Sequence, residues 1–191
     1  MGRKGELTDR IIAYLVHHGP ADLSLRPMAA AIGTSARLLI FHFGSKEGLL
    51  TEVLGTLQGR MRASILRLGS EPVRPGPLLR VVWDWALEEP WFGQLRLLYQ
   101  LHALAAQAPD TYGAYLQGNA LDWMALVQAA QPPDRRDPAL VTLIVAVFDG
   151  LFLECMSTGD RTRTTAALDR FLALAARKRG EGPVGTQEVN L

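Results

Sequence analysis

Residues 24–50, SLRPMAAAIGTSARLLIFHFGSKEGLL, constrain the fold of this chain more than any other stretch. Three serines, Ser24, Ser35 and Ser45, each precede a short apolar segment, and a serine there can accept a hydrogen bond from an amide of the first helical turn. Gly33 closes the first segment, where a glycine readily takes the left-handed conformation that ends a helix. The stretch is therefore predicted to form three short helices, the first two joined by a tight turn.

Two short helices joined in this way have the spacing of a helix-turn-helix, whose second helix enters the major groove of DNA. Many all-α proteins contain such a turn without binding DNA, so the pattern alone leaves the function open. Residues 24–50 also resemble the DNA-binding region of the TetR family of bacterial transcription regulators, most specifically where the second helix runs into SKEGLL. The shared positions are Ser24, Met28, Ala29, Ile32, Gly33, Ser35, Leu39, His42, Phe43, Ser45, Lys46, Glu47, Leu49 and Leu50.

Two positions depart from the family pattern. Arg37 stands where members usually have a small residue, and Ile40 where they often have a tyrosine that touches a phosphate. Isoleucine cannot donate a hydrogen bond, whereas an arginine can grip a guanine or a phosphate with two donors. The resemblance carries over His42 and Lys46 but no tyrosine contact. The expected DNA face consists of Arg26, Thr34, Ser35, Ala36, Arg37, Leu38, His42 and Lys46.

Composition and charge set the outer limits. A chain of 191 residues with 48% hydrophobic and 20% charged residues is ordinary for one compact unit or two small ones. Residues 1–76 hold ten Lys and Arg against six Asp and Glu (+4), residues 77–191 hold ten against thirteen (−3), and the sum is +1. The basic N-terminal part permits phosphate contact.

The cellular setting is predicted from cysteine usage and from the absence of targeting patterns. A single cysteine, Cys155, excludes an internal disulfide framework and fits a reducing compartment. The N-terminus lacks a signal-peptide pattern, and no uninterrupted apolar run approaches the ~20 residues that cross a bilayer. We expect a cytoplasmic protein with no membrane partner.

An N-terminal three-helix head is expected to contain the helix-turn-helix. Its first helix is predicted to be capped by Thr8 or Asp9, after a mobile tail that carries Arg3 and Lys4. From residue 46 the helical pattern continues to about residue 68, longer than the head can use, so this helix is expected to connect two domains. The side chains expected in the core of the head are Leu7, Ile11, Ile12, Leu15, Val16, Leu39, Phe41 and Phe43.

The remaining chain is predicted to be helical throughout, which makes the fold class all-α. The predicted helices are 78–89, 91–107, 110–130, 138–156 and 161–179, separated by glycine- and proline-containing segments. We expect residues 1–54 to form the helix-turn-helix DNA-binding domain and residues 55–180 a C-terminal helical ligand-binding and dimerisation domain. Residues 181–191 have too little apolar content to fold and are predicted to be a disordered tail.

Aromatic side chains concentrate in the middle helices of the second domain. Such stripes usually form ordinary core, but packed helices also close around cavities lined in this way. The resemblance favours the cavity, because TetR-like proteins hold a small-molecule inducer among these helices; Asp149 or Glu154 could orient a ligand there. The predicted lining is Trp83, Trp91, Phe92, Tyr99, His102, Trp123, Phe148 and Phe152.

The last two predicted helices are apolar on more than one side, so each is buried in its domain or against a partner. In the family these helices form a four-helix interface, and a two-fold dimer is what a helix-turn-helix needs to read two half-sites. A homodimer is therefore expected. The predicted interface consists of Leu140, Leu143, Ile144, Val147, Leu151, Leu168, Phe171, Leu172 and Ala175.

The leading hypothesis is a transcriptional regulator, most simply a repressor, which a small apolar or amphipathic inducer releases from double-stranded operator DNA. One alternative is an all-α small-molecule-binding protein or enzyme, and another is a protein-binding module that has lost DNA recognition. Against an enzyme, the sequence has no nucleophile elbow, no glycine-rich phosphate loop and no HExxH metal motif. We therefore expect no catalytic activity, no cofactor and no metal.

Overall fold

The computed structural model describes residues 2–21, 23–69, 75–131 and 136–177, with the side chains of residues 75–77 and 177 left out. Within these ranges all regular structure is helical, as the sequence predicts. The helices are α1 (Arg3–His18), α2 (Leu25–Ala31), α3 (Ala36–Phe43), α4 (Lys46–Leu68), α5 (Pro75–Ala86), α6 (Trp91–Ala106), α7 (Pro109–Ala129), α8 (Pro138–Thr158) and α9 (Arg161–Arg177).

The first three helices and the start of α4 form the head, which is organised around a shared apolar core. Ser35 and Ser45 cap α3 and α4 as predicted, accepting hydrogen bonds from the amides of Leu38 (3.2 Å) and Gly48 (3.0 Å). Gly33 takes the left-handed conformation, with φ +69°. The head's fully buried side chains include Leu7, Ile11, Leu15, Met28, Leu39 and Leu49.

Two details of the predicted helix starts are wrong. Ser24 occupies the N-cap position of α2, but its side chain makes no capping hydrogen bond. Helix α1 begins at Arg3, not at Thr8 or Asp9, so the expected mobile tail is helical. One reason is a tertiary contact, since Lys4 bonds Glu52 of α4 at 2.5 Å. The hydroxyl of Thr8 also donates to the carbonyl of Lys4 within α1, so it does not cap a helix start at that point.

Helix α4 spans 23 residues and connects the head to the remaining helices, as its length predicts. It packs against α1 and α3 near its start and against α5, α6 and α7 further along. A second contact joins the two parts, because α1 also packs on α6. Gly93 allows this approach, since a Cβ there would lie 3.3 Å from Cγ1 of Val16.

The predicted boundaries of α5 to α8 hold to within three residues. Helix α5 starts and ends three residues earlier than predicted, and α8 continues two residues further, to Thr158. Helix α7 is continuous across Gly113 and Gly118 despite their low helical propensity. The predicted disordered tail, residues 181–191, lies outside the described residues.

Helix α8 is the most apolar helix of the part of the chain described. By length and composition alone it could span a membrane, in contrast to the expectation that no apolar run is long enough, and 22% of its most apolar stretch is buried. It packs against α7 and α9 and carries Asp149 and Glu154. A helix of this composition inside a helical bundle is one that needs cover on more than one side.

Candidate nucleic-acid interface and ligand cavity

Helix α3 is attached to the head by one side only. Leu39 and Phe43, four residues apart and therefore on one face, are buried in the core. Arg37 and Phe41 lie on the opposite face and Ile40 lies at its edge, and all three are exposed. The helix is thus fixed in position while its outer face remains free, which is the arrangement a recognition helix requires.

Phe41 corrects the predicted core, because 79% of its surface is exposed. From the sequence, Phe41 is expected in the core with Leu39 and Phe43. In an eight-residue helix, however, Leu39 and Phe43 already occupy the face toward the core, and Phe41 lies about 200° around the helix from Leu39. Its ring meets the ring of His42 edge-on, with centroids 5.2 Å apart.

Most predicted DNA-face residues lie at or near the surface. Arg26 and Arg37 are exposed, and neither takes part in an ion pair within the described ranges. Lys46 is the first residue of α4 and is half-buried, as is His42. Ser35 is exposed and keeps its hydroxyl proton free to donate, while Ala36 and Leu38 are half-buried.

Thr34 is the exception among these residues. Its hydroxyl oxygen is buried and has no hydrogen-bond partner among the residues described. Its amide is also engaged, donating to the carbonyl of Ala29 at 2.8 Å. The phosphate contact predicted for Thr34 is therefore unavailable in this conformation, because the tight turn uses its backbone and encloses its side chain.

At the start of α4, the residues around Glu47 favour the charged form of its side chain. The pKa of Glu47 is lowered by hydrogen bonds from its own backbone amide and from the side chain of Ser45, and the charge of Lys46 lowers it by a smaller amount. Glu47 is thus held as a carboxylate at the positive end of the helix, which stabilises the turn that carries Lys46.

A cavity of about 460 Å³, partly open to solvent, lies among α4 to α8. Its wall is mainly apolar and aromatic, with Met61 and Ile65 from α4, and Trp85 from α5 facing residues of α6, α7 and α8. Trp85 and Trp91 pack with their centroids 4.6 Å apart. This size and lining suit a small organic molecule with ring systems.

Polar groups are few on the wall of this cavity. The hydroxyl of Tyr99 donates to Oδ1 of Asp149 at 2.6 Å, and Nε1 of Trp123 donates to Oδ1 of Asn119 at 3.1 Å. Among the described lining residues Asp149 is the one carboxylate, His102 is the one histidine, and there is no lysine or arginine. The wall is therefore biased toward negative charge.

The pKa values of the Tyr99–Asp149 pair define its protonation. Burial, followed by the nearby Asp149 charge and the hydrogen bond, raises the pKa of Tyr99 well above its usual value, so the phenol stays protonated and donates. Burial raises the pKa of Asp149, while the Tyr99 hydrogen bond and the neighbouring His102 act in the opposite direction. The carboxylate is thus partly desolvated and accepts a single protein hydrogen bond among those described.

Six of the eight predicted ligand residues lie on the cavity wall, namely Trp91, Tyr99, His102, Trp123, Phe148 and Phe152. Trp83 and Phe92 do not. Trp83 is fully buried behind the wall, where its ring stacks on that of Phe152 with centroids 4.4 Å apart and its Nε1 donates to the hydroxyl of Thr165. The guanidinium carbon of Arg161 lies over the ring of Phe92, 4.9 Å from its centroid.

Several lining residues were missed because they are not aromatic or belong to the connecting helix. Met61 and Ile65, four residues apart on α4, share one helical face, and this spacing in the sequence was a usable signal. Trp85 belonged to the aromatic cluster but not to the predicted lining.

The predicted dimer residues divide into two groups. Leu168 and Ile144 are buried within the single chain, so they correct the prediction: a side chain enclosed by its own chain has no free surface to contact a partner. Leu143 is 51% exposed, and Leu140, Val147, Leu151, Phe171, Leu172 and Ala175 are half-buried. Leu153 and Leu174, which were not among the predicted residues, are 56% and 49% exposed.

Comparison with known proteins connects the head to a family. Residues 7–53 match the family described as bacterial regulatory proteins, tetR family. No curated protein sequence matches the chain.

Solved structures extend the likeness to the whole chain. The multidrug binding protein EbrR in complex with imidazole is 22% identical, with a TM-score of 0.71, over 97% of this chain and 98% of that one. The same protein in complex with ethidium is 25% identical, with a TM-score of 0.68, over 88% of this chain and 98% of that one. A TetR transcription regulator from Haloarcula marismortui is 19% identical, with a TM-score of 0.71, over 91% of this chain and 98% of that one.

Proposed function

We propose that this chain is a member of the TetR family of bacterial regulatory proteins, to which residues 7–53 are matched, and that it is a cytoplasmic, ligand-responsive transcriptional repressor. The observation that carries the DNA-binding role is α3. Its inner face is anchored by Leu39 and Phe43, and its outer face, with Arg37, is exposed and unpaired within the described residues. A helix held in this way can enter a major groove without rearranging the head.

Four cationic or polar side chains supply the polar DNA contacts. Arg37 lies on the outer face of α3 and reads a guanine edge or grips a phosphate. Lys46 lies at the start of α4, where the helix dipole and the ammonium group act together on a phosphate. Arg26 on α2 and His42 near the end of α3 fix the register of α3 on the DNA backbone.

Selection of bound sequences from random duplex DNA tests this role. We expect enrichment of one sequence with two inverted half-sites, spaced ~34–36 Å or a multiple apart. The matched control is the double variant Arg37→Ala, Lys46→Ala, whose substitutions remove exposed or half-exposed charges and leave the core intact. Failure of the native protein to enrich any sequence would contradict the proposal.

We also propose that the protein acts as a homodimer through α8 and α9. Leu143 and Leu153 on α8 and Leu174 on α9 remain exposed in the single chain, although α8 is the most apolar helix described. Burying this surface against its two-fold copy gives the two heads a defined separation. Light scattering is expected to report a dimer at micromolar concentration, and a monomer would contradict the proposal.

The ligand proposed for the cavity is a planar aromatic molecule that carries a positive charge. The aromatic wall supplies faces for stacking, and the Asp149 carboxylate, with no lysine or arginine among the described lining residues, supplies the counter-charge. Complexes of the structurally similar EbrR with ethidium and proflavin support this class.

Ligand binding is proposed to release DNA by favouring a different spacing of the two heads. This requires a higher affinity for the released arrangement than for the DNA-bound one, since tight binding to both would shift nothing. The cavity has the means to do so, because its wall includes Met61 and Ile65 of α4, the helix that continues into the head.

The test uses ethidium and proflavin as probes. Fluorescence titration is expected to show saturable binding to the protein, and addition of either probe to the complex with the selected operator is expected to release the DNA at matching concentrations. The DNA must be kept short and the probe titrated against DNA alone, because both probes bind duplexes. Saturable binding without release would contradict the repressor mechanism but not DNA binding.

A further inference from the structure

The outer face of α3 carries an apolar pair whose purpose the cationic contacts do not explain. Ile40 is 42% exposed and Phe41 is 79% exposed, the most exposed of the large apolar side chains described. Elsewhere in the head, large apolar side chains are buried or half-buried. Neighbouring apolar side chains that are exposed together mark a surface for a partner, whereas a single exposed one does not.

The two side chains are held in a defined position. They follow Leu39 and precede Phe43, whose burial sets the rotation of α3 in the head. The Phe41 ring packs edge-on against His42, which in turn packs against Phe43 at 6.4 Å. Phe41 lies four residues after Arg37 and therefore on the same face as the arginine expected to contact DNA.

The chemistry of the pair limits what it can recognise in a duplex. Neither side chain has a donor or an acceptor, so neither can bond a phosphate or the polar edge of a base. In the major groove the C5 methyl group of thymine is the apolar feature that a base edge presents.

We propose that Ile40 and Phe41 read thymine methyl groups, so that each operator half-site contains at least one thymine facing this pair, next to the base or phosphate contacted by Arg37. This inference rests on the proposed DNA-binding function and adds to it a rule for the operator sequence. It predicts selectivity for thymine at positions where no hydrogen bond distinguishes the base.

The experiment replaces thymines in the selected half-site one at a time by deoxyuridine, which removes the methyl group and leaves all hydrogen-bonding groups in place. One or two positions are expected to lose about fourfold in affinity for the native protein, as removal of one buried methyl group predicts. The remaining thymines are expected to show no change.

The variant Phe41→Ala assigns those positions to the side chain. It is expected to bind the thymine operator about tenfold more weakly than the native protein. It should also lose the penalty for deoxyuridine, because no ring is left to contact the methyl group. Since Phe41 is exposed, the melting temperature should remain that of the native protein. The matched control is Leu121→Ala, which removes an exposed apolar side chain from α7 and should leave DNA binding unchanged.

Three results would overturn the inference: a half-site without thymine, a silent deoxyuridine series with the native protein, or an equal deoxyuridine penalty in Phe41→Ala. An altered oligomeric state of Phe41→Ala with unchanged DNA affinity would show that the pair covers a protein surface instead. If no DNA sequence is selected at all, the proposed function fails with it, whereas a selected operator with a silent series rejects this inference alone.

Discussion

The head and the helices that follow it bury their apolar side chains to different extents. In the head, the large apolar residues that remain exposed are Ile40 and Phe41, both on the outer face of α3. In the rest of the described chain, exposed leucines are spread over several helices, with Leu143 and Leu153 on α8 and Leu174 on α9. The exposed apolar surface of the head is thus confined to the proposed DNA surface, whereas the exposed leucines of α8 and α9 form the surface proposed for the dimer.

The ion pairs between α1 and α4 also lie away from the outer face of α3. Lys4 with Glu52 and Arg60 with Asp9 connect α1 to α4. Partly exposed pairs of this kind contribute little to stability. Their effect is on the surface: they neutralise four charges away from α3, and leave Arg37 as a cation without a protein partner among the residues described.

The largest effect is expected from Leu153→Glu, which tests whether the second region needs a partner. A glutamate at this position would be desolvated beside its like-charged copy, and we expect the dimer to be weakened by about 4 kcal/mol. Analytical ultracentrifugation over a range of concentrations measures the change. Leu121→Glu on α7 is the control, and a dimer unaffected by Leu153→Glu would place the interface elsewhere.

Leu39→Ala tests whether the head depends on its own core. This side chain is fully buried and anchors α3, so its truncation is expected to lower the free energy of unfolding by about 3 kcal/mol and to abolish operator binding. Urea denaturation gives the first quantity and fluorescence anisotropy the second. The neighbouring Ile40→Ala should leave stability within about 0.5 kcal/mol of the native value. Equal losses in both variants would refute the one-sided anchoring of α3.

Arg37→Ala separates binding from stability on the free surface of the head. The variant is expected to lose about 2 kcal/mol of operator affinity, as for one good base or phosphate contact, with an unchanged melting temperature. Anisotropy titrations at several salt concentrations measure it, and Arg96→Ala on α6 serves as the matched loss of one exposed arginine. Unchanged affinity would remove Arg37 from the interface.

Asp149→Asn has the smallest expected effect and sharpens the proposed ligand class. The loss of the carboxylate should weaken ethidium binding by about 1 kcal/mol, while a neutral aromatic probe of similar size should be unaffected. Equal weakening of both probes would mean that the substitution disturbs the wall and not the charge.

The pH dependence of binding gives an independent check on the same carboxylate. Burial raises the pKa of Asp149 above its ordinary value. Ethidium binding to the native protein should therefore be strong while Asp149 is ionised and should weaken as the pH falls through this raised pKa, because protonation removes the counter-charge. In Asp149→Asn this dependence should disappear, and its persistence would assign it to another group.

Local sequence determined the architecture of the head. Serine caps at Ser35 and Ser45, the left-handed Gly33 and the helical spacing of apolar residues each act within one or two turns of the chain, so they are legible without tertiary information. The order and approximate bounds of the later helices follow from the same signals. The family resemblance rests on the same short segment, residues 24–50, in which the pattern that predicts the helices also predicts DNA binding.

Tertiary structure decided which side of each helix is covered. The apolar run of α3 gave no means to place Phe41 outside and Leu39 inside, because that depends on where α1 and α4 lie. Likewise Leu168 is enclosed by its own chain while Leu174, six residues later on the same helix, is left open. The composition of a helix indicates that it must be buried on some side. Which side is buried depends on contacts with residues far apart in the chain, and these contacts exist only in the folded molecule.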